Sequence, residues 1–277
     1  MNRLDPSPAE ARIGRRTLVV AMGAAALASG TFAVGQAHAA VPLSQMINRA
    51  GKMRALSQRA SKFYVQITLG VLADKASESL TSTQRIIASV LESLVAANPP
   101  PEVRKPLSQL ERDVAALTTL IGGAPRREDV LLVSKAADAM LDSANQTTMA
   151  FQETTKQGAA RIVNIAGRQR MLSQRAGRAY FMSAAGQDNP ATQKQLNDAR
   201  EEFKQALTTL DAAPISTSSI KNELELARSQ WVFYEAALAK KPNAEGLAVV
   251  ATTSERVYEA MDNLTGLYDA ALRDLLS

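Results

Sequence analysis

The chain has 277 residues, of which 46% are hydrophobic and 21% are charged, and its formal net charge at pH 7 is +5. This balance is typical of a globular protein of one or two domains, and so small a charge argues against nucleic-acid binding. The sequence contains no cysteine and a single histidine, His38, which excludes disulfides and zinc-thiolate or thiol chemistry.

Residues 1–39 have the features of a cleaved export signal. A basic region with the pair Arg15 and Arg16 precedes the apolar stretch TLVVAMGAAALASGTFAVG, and Ala37–Ala39 form an A-x-A cleavage site. The arginine pair resembles a twin-arginine signal, although Gly14 stands where Ser or Thr is usual. Ordinary secretion and a retained membrane anchor are the alternatives. Cleavage would give a periplasmic chain without histidine, which excludes a His-ligated haem or metal and a Ser-His-Asp triad.

From residue 42 onward the helical period dominates, and no run of residues indicates a strand. Proline- and glycine-containing breaks divide this part of the chain into helices of about 20 to 30 residues. The predicted helices cover approximately Leu43–Leu72, Ser79–Ala97, Glu102–Ile121, Glu128–Lys156, Ala159–Ala185, Ala191–Leu210, Ile220–Ala239 and Glu245–Leu276. Four helices followed by four more predict an all-α fold of two tandem up-down four-helix bundles, residues 40–157 and 158–277.

The first helix of each predicted module contains nearly the same sequence. The segments Ile47–Tyr64 and Val163–Tyr180 are identical at ten of eighteen aligned positions. Beyond these segments the two halves match in pattern only. We therefore expect the first helix of each module to have a function that the other helices lack.

At 100° per residue, the first copy of this repeat separates into three faces. The face predicted for the bundle core contains Met53, Leu56, Ala60, Phe63 and Tyr64. The opposite face, most of which is predicted to face water, contains Lys52, Arg59, Lys62 and Gln66. The third face contains mainly small or weakly polar residues and one arginine, namely Ile47, Ala50, Gly51, Arg54, Gln58, Ser61 and Val65. The second copy repeats this third face with Gly167 and Arg170.

The third face indicates a close contact between helices. Its small residues allow another helix to approach, and a glycine inside a helix costs up to about 1 kcal/mol relative to alanine, so a compensating contact is expected. An arginine one turn later would be held between the two helices. A guanidinium has forked donors that match a carboxylate or nitrate, and a bound anion would neutralise and bridge two facing arginines. Ligand binding would then change the free energy of helix packing, as in a sensor.

The alternative interpretation is that the motif arginines form ordinary ion pairs. No acidic residue occurs between Leu43 and Leu72, or between Lys156 and Gln187. Any carboxylate partner must therefore come from another helix, and the candidates are Asp138, Asp142 and Glu259.

The motifs INRAGKMRALSQR and VNIAGRQRMLSQRAGRAY resemble the PilJ-type ligand-binding module of bacterial chemoreceptors. They are also similar to the periplasmic sensor part of the NarX and NarQ nitrate-responsive kinases. The resemblance implies a four-helix bundle in which the arginine after AG-x-x binds nitrate or nitrite between two first helices. By position, it implies ligand binding by Arg54, Arg170, Asn48, Gly51, Asn164 and Gly167, with support from Ser57, Gln58, Arg59, Ser173, Gln174 and Arg175. One departure is Ala55, where the family motif has Met; Met171 restores it in the second copy.

Together these features predict an exported sensor that binds a small oxyanion, performs no catalysis and needs no cofactor or metal. Because no output segment precedes Ser277, we expect the signal to pass to a separate signalling protein or receptor. The rival hypothesis is a structural or interaction module that docks on a membrane receptor or pilus machinery. The junction at Lys156–Ala160 leaves two arrangements open. A turn there would place the motif helices side by side, whereas a continuous rod would place the modules end to end and require a homodimer.

Overall fold

The computed structural model describes residues 42–155 and 158–275, so the predicted export signal and His38 lie outside the described residues. Within these two ranges the chain is almost entirely helical and contains no strand, which confirms the all-α prediction. The helices are α1 (Leu43–Thr68), α2 (Ala73–Ala96), α3 (Pro101–Ile121), α4 (Val130–Glu153), α5 (Gly158–Met182), α6 (Pro190–Asp211), α7 (Ser218–Leu238) and α8 (Ala244–Asp274). None of the helices described combines the length and apolar character that crossing a bilayer requires.

The helix boundaries differ from the predictions mainly between α1 and α2. The chain turns at Gly70 and Leu72, whose φ angles of 70° and 47° lie in the left-handed region, so α2 begins six residues earlier than predicted. No proline marks this turn, which is why the sequence suggested a longer first helix. A short 3-10 turn, Arg127–Asp129, precedes α4, and a π-helical segment, Ser183–Gln187, follows α5.

Each half of the chain forms a four-helix bundle with the same neighbours. In the first half α1 packs against α2 and α4, and α3 packs against α4; in the second half α5 packs against α6 and α8, and α7 packs against α8. The motif helix of each half also packs extensively against the motif helix of the other half. The modules therefore lie side by side, and α4 ends at Glu153 before α5 begins at Gly158. The end-to-end rod does not form.

This arrangement makes α1 and α5 the central helices of the protein. Helix α1 contacts α2, α4, α5 and α8, and so it has no face that is fully open to water. The prediction that the face with Lys52, Arg59, Lys62 and Gln66 is mostly exposed is therefore wrong. Lys62 is 0% exposed and Gln66 is 3% exposed, because α8 of the second module covers this face.

Candidate functional site

The arginines of the two repeats meet where α1 packs against α5. Arg54 and Arg170 are each only 1% exposed. A Cβ atom added to Gly51 would lie 3.1 Å from Nη2 of Arg54 and 3.8 Å from Nη2 of Arg170; at Gly167 the corresponding distances are 3.8 Å and 3.1 Å. The two guanidinium groups thus converge in the space that the two glycines leave open.

Each arginine is held by an asparagine of the other repeat. Nη2 of Arg54 donates a hydrogen bond of 2.8 Å to Oδ1 of Asn164, and Nη2 of Arg170 donates one of 2.9 Å to Oδ1 of Asn48. The same nitrogens also donate to the backbone carbonyls of these asparagines, at 3.4 Å and 3.2 Å. The predicted motif residues are therefore exchanged across the interface, with an approximate two-fold relation.

The two-fold relation fails at the remaining guanidinium nitrogen. Nη1 of Arg54 donates to Oδ1 of Asn145 at 3.1 Å, whereas Nη1 of Arg170 donates to Oδ1 of Asp262 at 2.5 Å. Asn145 on α4 and Asp262 on α8 occupy equivalent places in the two bundles. The ion-pair alternative thus holds for Arg170, whose partner is not among the predicted carboxylates, and fails for Arg54. Within residues 42–155 and 158–275, Arg54 forms no salt bridge.

The electrostatic state of Arg54 follows from this difference. Burial lowers the pKa of Arg54 to about 9, helped by the nearby charges of Arg168 and Arg170 and opposed only weakly by Glu202. Glu202 forms an ion pair with Arg168 itself. Burial raises the pKa of Asp262, but the charges of Arg170 and Lys52 outweigh it and hold that pKa below its usual value. Arg54 is therefore a buried cation that lacks a counterion of its own.

The residues predicted to support the site form hydrogen bonds that do not reach the two guanidinium groups. Oγ of Ser57 donates to the carbonyl of Arg54 and Oγ of Ser173 to that of Arg170, both at 2.8 Å, so these hydroxyls bond to the helix backbone. Nε2 of Gln58 donates to Oδ1 of Asp138 at 3.3 Å. None of these three bonds involves a guanidinium group.

The remaining residues predicted to support the site likewise form no described hydrogen bond with Arg54 or Arg170. Nε2 of Gln174 donates to the carbonyl of Ser254 at 3.0 Å, and Nη2 of Arg59 lies 2.5 Å from Oε2 of Glu255. Arg175 has a buried Nε without a hydrogen-bond partner, and burial lowers its pKa, followed by the charge of Arg178. The contact of Arg59 with Glu255 belongs to a neighbouring layer of the interface between the two modules, whereas Gln174 and Ser254 both lie within the second module.

This second layer consists of ion pairs that join the two modules. Nζ of Lys62 on α1 lies 2.6 Å from Oε1 of Glu255 on α8, and Nη1 of Arg178 on α5 lies 2.8 Å from Oδ1 of Asp138 on α4. Lys62 and Arg178 occupy equivalent positions of the two repeats. Burial lowers the pKa of Lys62 to about 8 although Glu255 opposes it. Burial raises the pKa of Glu255, but Lys62 and Arg59 lower it to about 2.

Sequence analysis missed both carboxylates of α8 that contact the motif helices, Glu255 and Asp262. Of the predicted partners, Asp138 does pair with a motif-helix arginine, but with Arg178 rather than with Arg54 or Arg170. An alignment of the α4 and α8 sequences could have indicated these positions, but the similarity of the two helices is too weak to recognise without coordinates. Among the residues described, no group of three or more His, Cys, Asp or Glu side chains is placed to hold a metal ion.

Comparison with known proteins places the chain in a family. The model of the PilJ family, described as the N-terminal part of type IV pili methyl-accepting chemotaxis transducers, matches residues 38–147 and again residues 152–256. No curated protein and no solved structure matches the chain. The matched regions contain both repeats and cover well over half of the sequence. The chain therefore belongs to the PilJ family of sensing and signalling modules and contains two copies of that domain in tandem.

Proposed function

We propose that the protein senses a small oxyanion, with nitrate and nitrite as the first candidates, where α1 meets α5. The observation that carries this proposal is the state of Arg54. Its guanidinium is 1% exposed, it lies close to that of Arg170, and it has no carboxylate partner among the described residues. A buried charge without a partner destabilises the folded state, and a bound anion would remove that penalty.

The chemistry of the site suits a small oxyanion. A guanidinium donates two parallel hydrogen bonds to a planar oxyanion, and such charge-assisted bonds are about twice as strong as neutral ones. At present the donors of Arg54 are bonded to neutral acceptors, the side chains of Asn145 and Asn164 and the carbonyl of Gly51. An anion is a stronger acceptor than any of these.

The position of the site connects binding to signalling. Helices α1 and α5 belong to different modules, so an anion between Arg54 and Arg170 would change the free energy of the contact between modules. We infer that a separate signalling protein reads this change, in keeping with the chemotaxis transducers of the family. The predicted export signal and the family both favour a periplasmic location. Because one chain supplies both arginines, the proposal does not need a homodimer.

Thermal unfolding with and without nitrate tests the proposal. A ligand at 100 times its Kd adds about 2.7 kcal/mol to the free energy of unfolding. For a protein of this size that corresponds to a Tm increase of roughly 5–10 °C. The increase should disappear in Arg54→Met, because this variant keeps an unbranched apolar side chain but removes the charge and the hydrogen-bond donors of the guanidinium.

Arg49→Met is the matched control. Arg49 is only partly buried on the same helix, forms none of the hydrogen bonds or ion pairs described above, and should leave the nitrate response intact. If nitrate, nitrite and other small anions all leave the Tm of the wild type unchanged, the oxyanion proposal is wrong. The rival hypothesis, a structural or interaction module that docks on a membrane receptor or on pilus machinery, would then be favoured.

A further inference from the structure

The two halves of the arginine pair differ at one functional group. Arg54 bonds to the amide of Asn145, and Arg170 bonds to the carboxylate of Asp262, through the same guanidinium nitrogen and at equivalent places in the two bundles. An Asn and an Asp side chain have nearly the same shape. The difference between the two halves is therefore one of charge and not of space.

Of the two buried arginines, Arg54 is the one without a carboxylate partner among the described residues. Arg54 and Arg170 contribute two positive charges, and Asp262 contributes one negative charge. The nearby pair of Arg168 and Glu202 is neutral in sum. Lys52 also bonds to Asp262, at 2.8 Å, and the side chains of Lys52 and Asp262 are 27% and 31% exposed, so water screens both of these charges.

We propose that Asn145 and Asp262 make the site selective for one singly charged anion, held on the Arg54 side. This inference rests on the proposed function and specifies its ligand. A monoanion neutralises the one free buried charge. A dianion brings more negative charge than Arg54 alone neutralises and lies close to the carboxylate of Asp262, and both effects oppose its binding.

The two side chains have different roles in this selectivity. Asp262 already occupies on Arg170 the position that a ligand would take, so Arg170 is satisfied before an anion arrives. Asn145 can turn its amide, accepting a hydrogen bond from Arg54 in the free protein and donating one to an oxyanion in the complex. An ionised aspartate at position 145 could only accept, and it would compete with the ligand.

Exchanging the two side chains tests the inference directly. We expect Asn145→Asp to weaken nitrate binding at least about tenfold, because the new carboxylate neutralises Arg54. Asp262→Asn should strengthen the binding of sulfate at least about tenfold, because it raises the charge of the site. The double variant Asn145→Asp/Asp262→Asn restores the original charge and should bind nitrate within a few fold of the wild type, now on Arg170.

Calorimetric titration of the full chain with nitrate, perchlorate and sulfate gives the measurement. Perchlorate is tetrahedral like sulfate but singly charged, so it separates charge from shape. We expect the wild type to bind nitrate and perchlorate and to bind sulfate at least about tenfold more weakly.

The outcomes separate this inference from the proposed function. If the wild type binds no anion at all, the proposed function fails. If it binds sulfate as well as nitrate, or if Asn145→Asp keeps the nitrate affinity, the proposed function stands and the selectivity mechanism is wrong. If Asp262→Asn fails to fold, Asn145→Asp still tests the selectivity mechanism. This variant should fold, because it adds a counterion to the buried charge of Arg54.

Discussion

Glu255→Gln should lower the free energy of unfolding by about 3–5 kcal/mol, the range expected when one partner of a buried ion pair is removed. The carboxylate of Glu255 lies 2.6 Å from Nζ of the fully buried Lys62 and 2.5 Å from Nη2 of Arg59. Glutamine has nearly the same shape but no charge, so both cations would remain at the module interface without a counterion. The Tm should fall by roughly 6–20 °C.

Two further variants control this prediction. Glu259→Gln, one turn later on the exposed face of the same helix, should change the Tm by no more than about 1 °C, as is usual for exposed charges. Adding Lys62→Met to Glu255→Gln should recover part of the loss, because it removes the fully buried one of the two cations left without a counterion. A Glu255→Gln variant as stable as the wild type would show that the second layer does not hold the modules together.

The same ion pairs should make the stability of the wild type depend on pH in the acid range. The pKa of Glu255 lies at about 2, below its ordinary value of 4.5. Its stabilising contribution is therefore complete above about pH 4.5 and is lost as the pH falls towards 2. In Glu255→Gln this part of the pH dependence of stability should be absent.

The affinity for nitrate should be nearly constant below pH 8 and should fall about tenfold per pH unit above about 9. Only the protonated Arg54 can pair with an anion, and burial lowers its pKa to about 9, well below the ordinary value of an arginine. Nitrate binds the protonated form of Arg54, so proton loss from the free protein reduces the affinity for nitrate. Calorimetric titrations between pH 7 and pH 11 give the profile.

One other group of the interface titrates nearby and needs its own control. The pKa of Lys62 lies at about 8, so proton loss from Lys62 could also disturb the packing of α1. Lys62→Met should keep a midpoint near pH 9 for the loss of nitrate binding. An affinity that stays unchanged up to pH 11 in the wild type would exclude Arg54 as the titrating group.

The sequence was sufficient for the features that depend on local pattern. The helical period gave the helices, and the identity of the repeats around Gly51 and Gly167 indicated the close approach of α1 and α5. The small side chains at these positions leave room for a guanidinium, which is a property of the residue types alone. The pattern did not decide whether Arg54 and Arg170 lie on facing helices of one chain, because the junction at Lys156–Ala160 was compatible with a side-by-side and with an end-to-end arrangement.

The features that depend on distant residues could not be predicted. A helical wheel assumes one buried face and one exposed face, and it fails for α1, which is packed on four sides, so Lys62 and Gln66 were placed in water. The difference between Asn145 and Asp262 matters only because both reach the same guanidinium nitrogen. Their local sequences contain no shared motif that would align them.

A crystal structure of the protein grown in nitrate would test most directly whether Arg54 binds an exogenous anion. We expect density for one nitrate within hydrogen-bond distance of the Arg54 guanidinium, between α1 and α5, with the Arg170–Asp262 pair kept. A structure in which nitrate occupies only the protein surface, while Arg54 keeps its bonds to Asn145 and Asn164, would contradict the account.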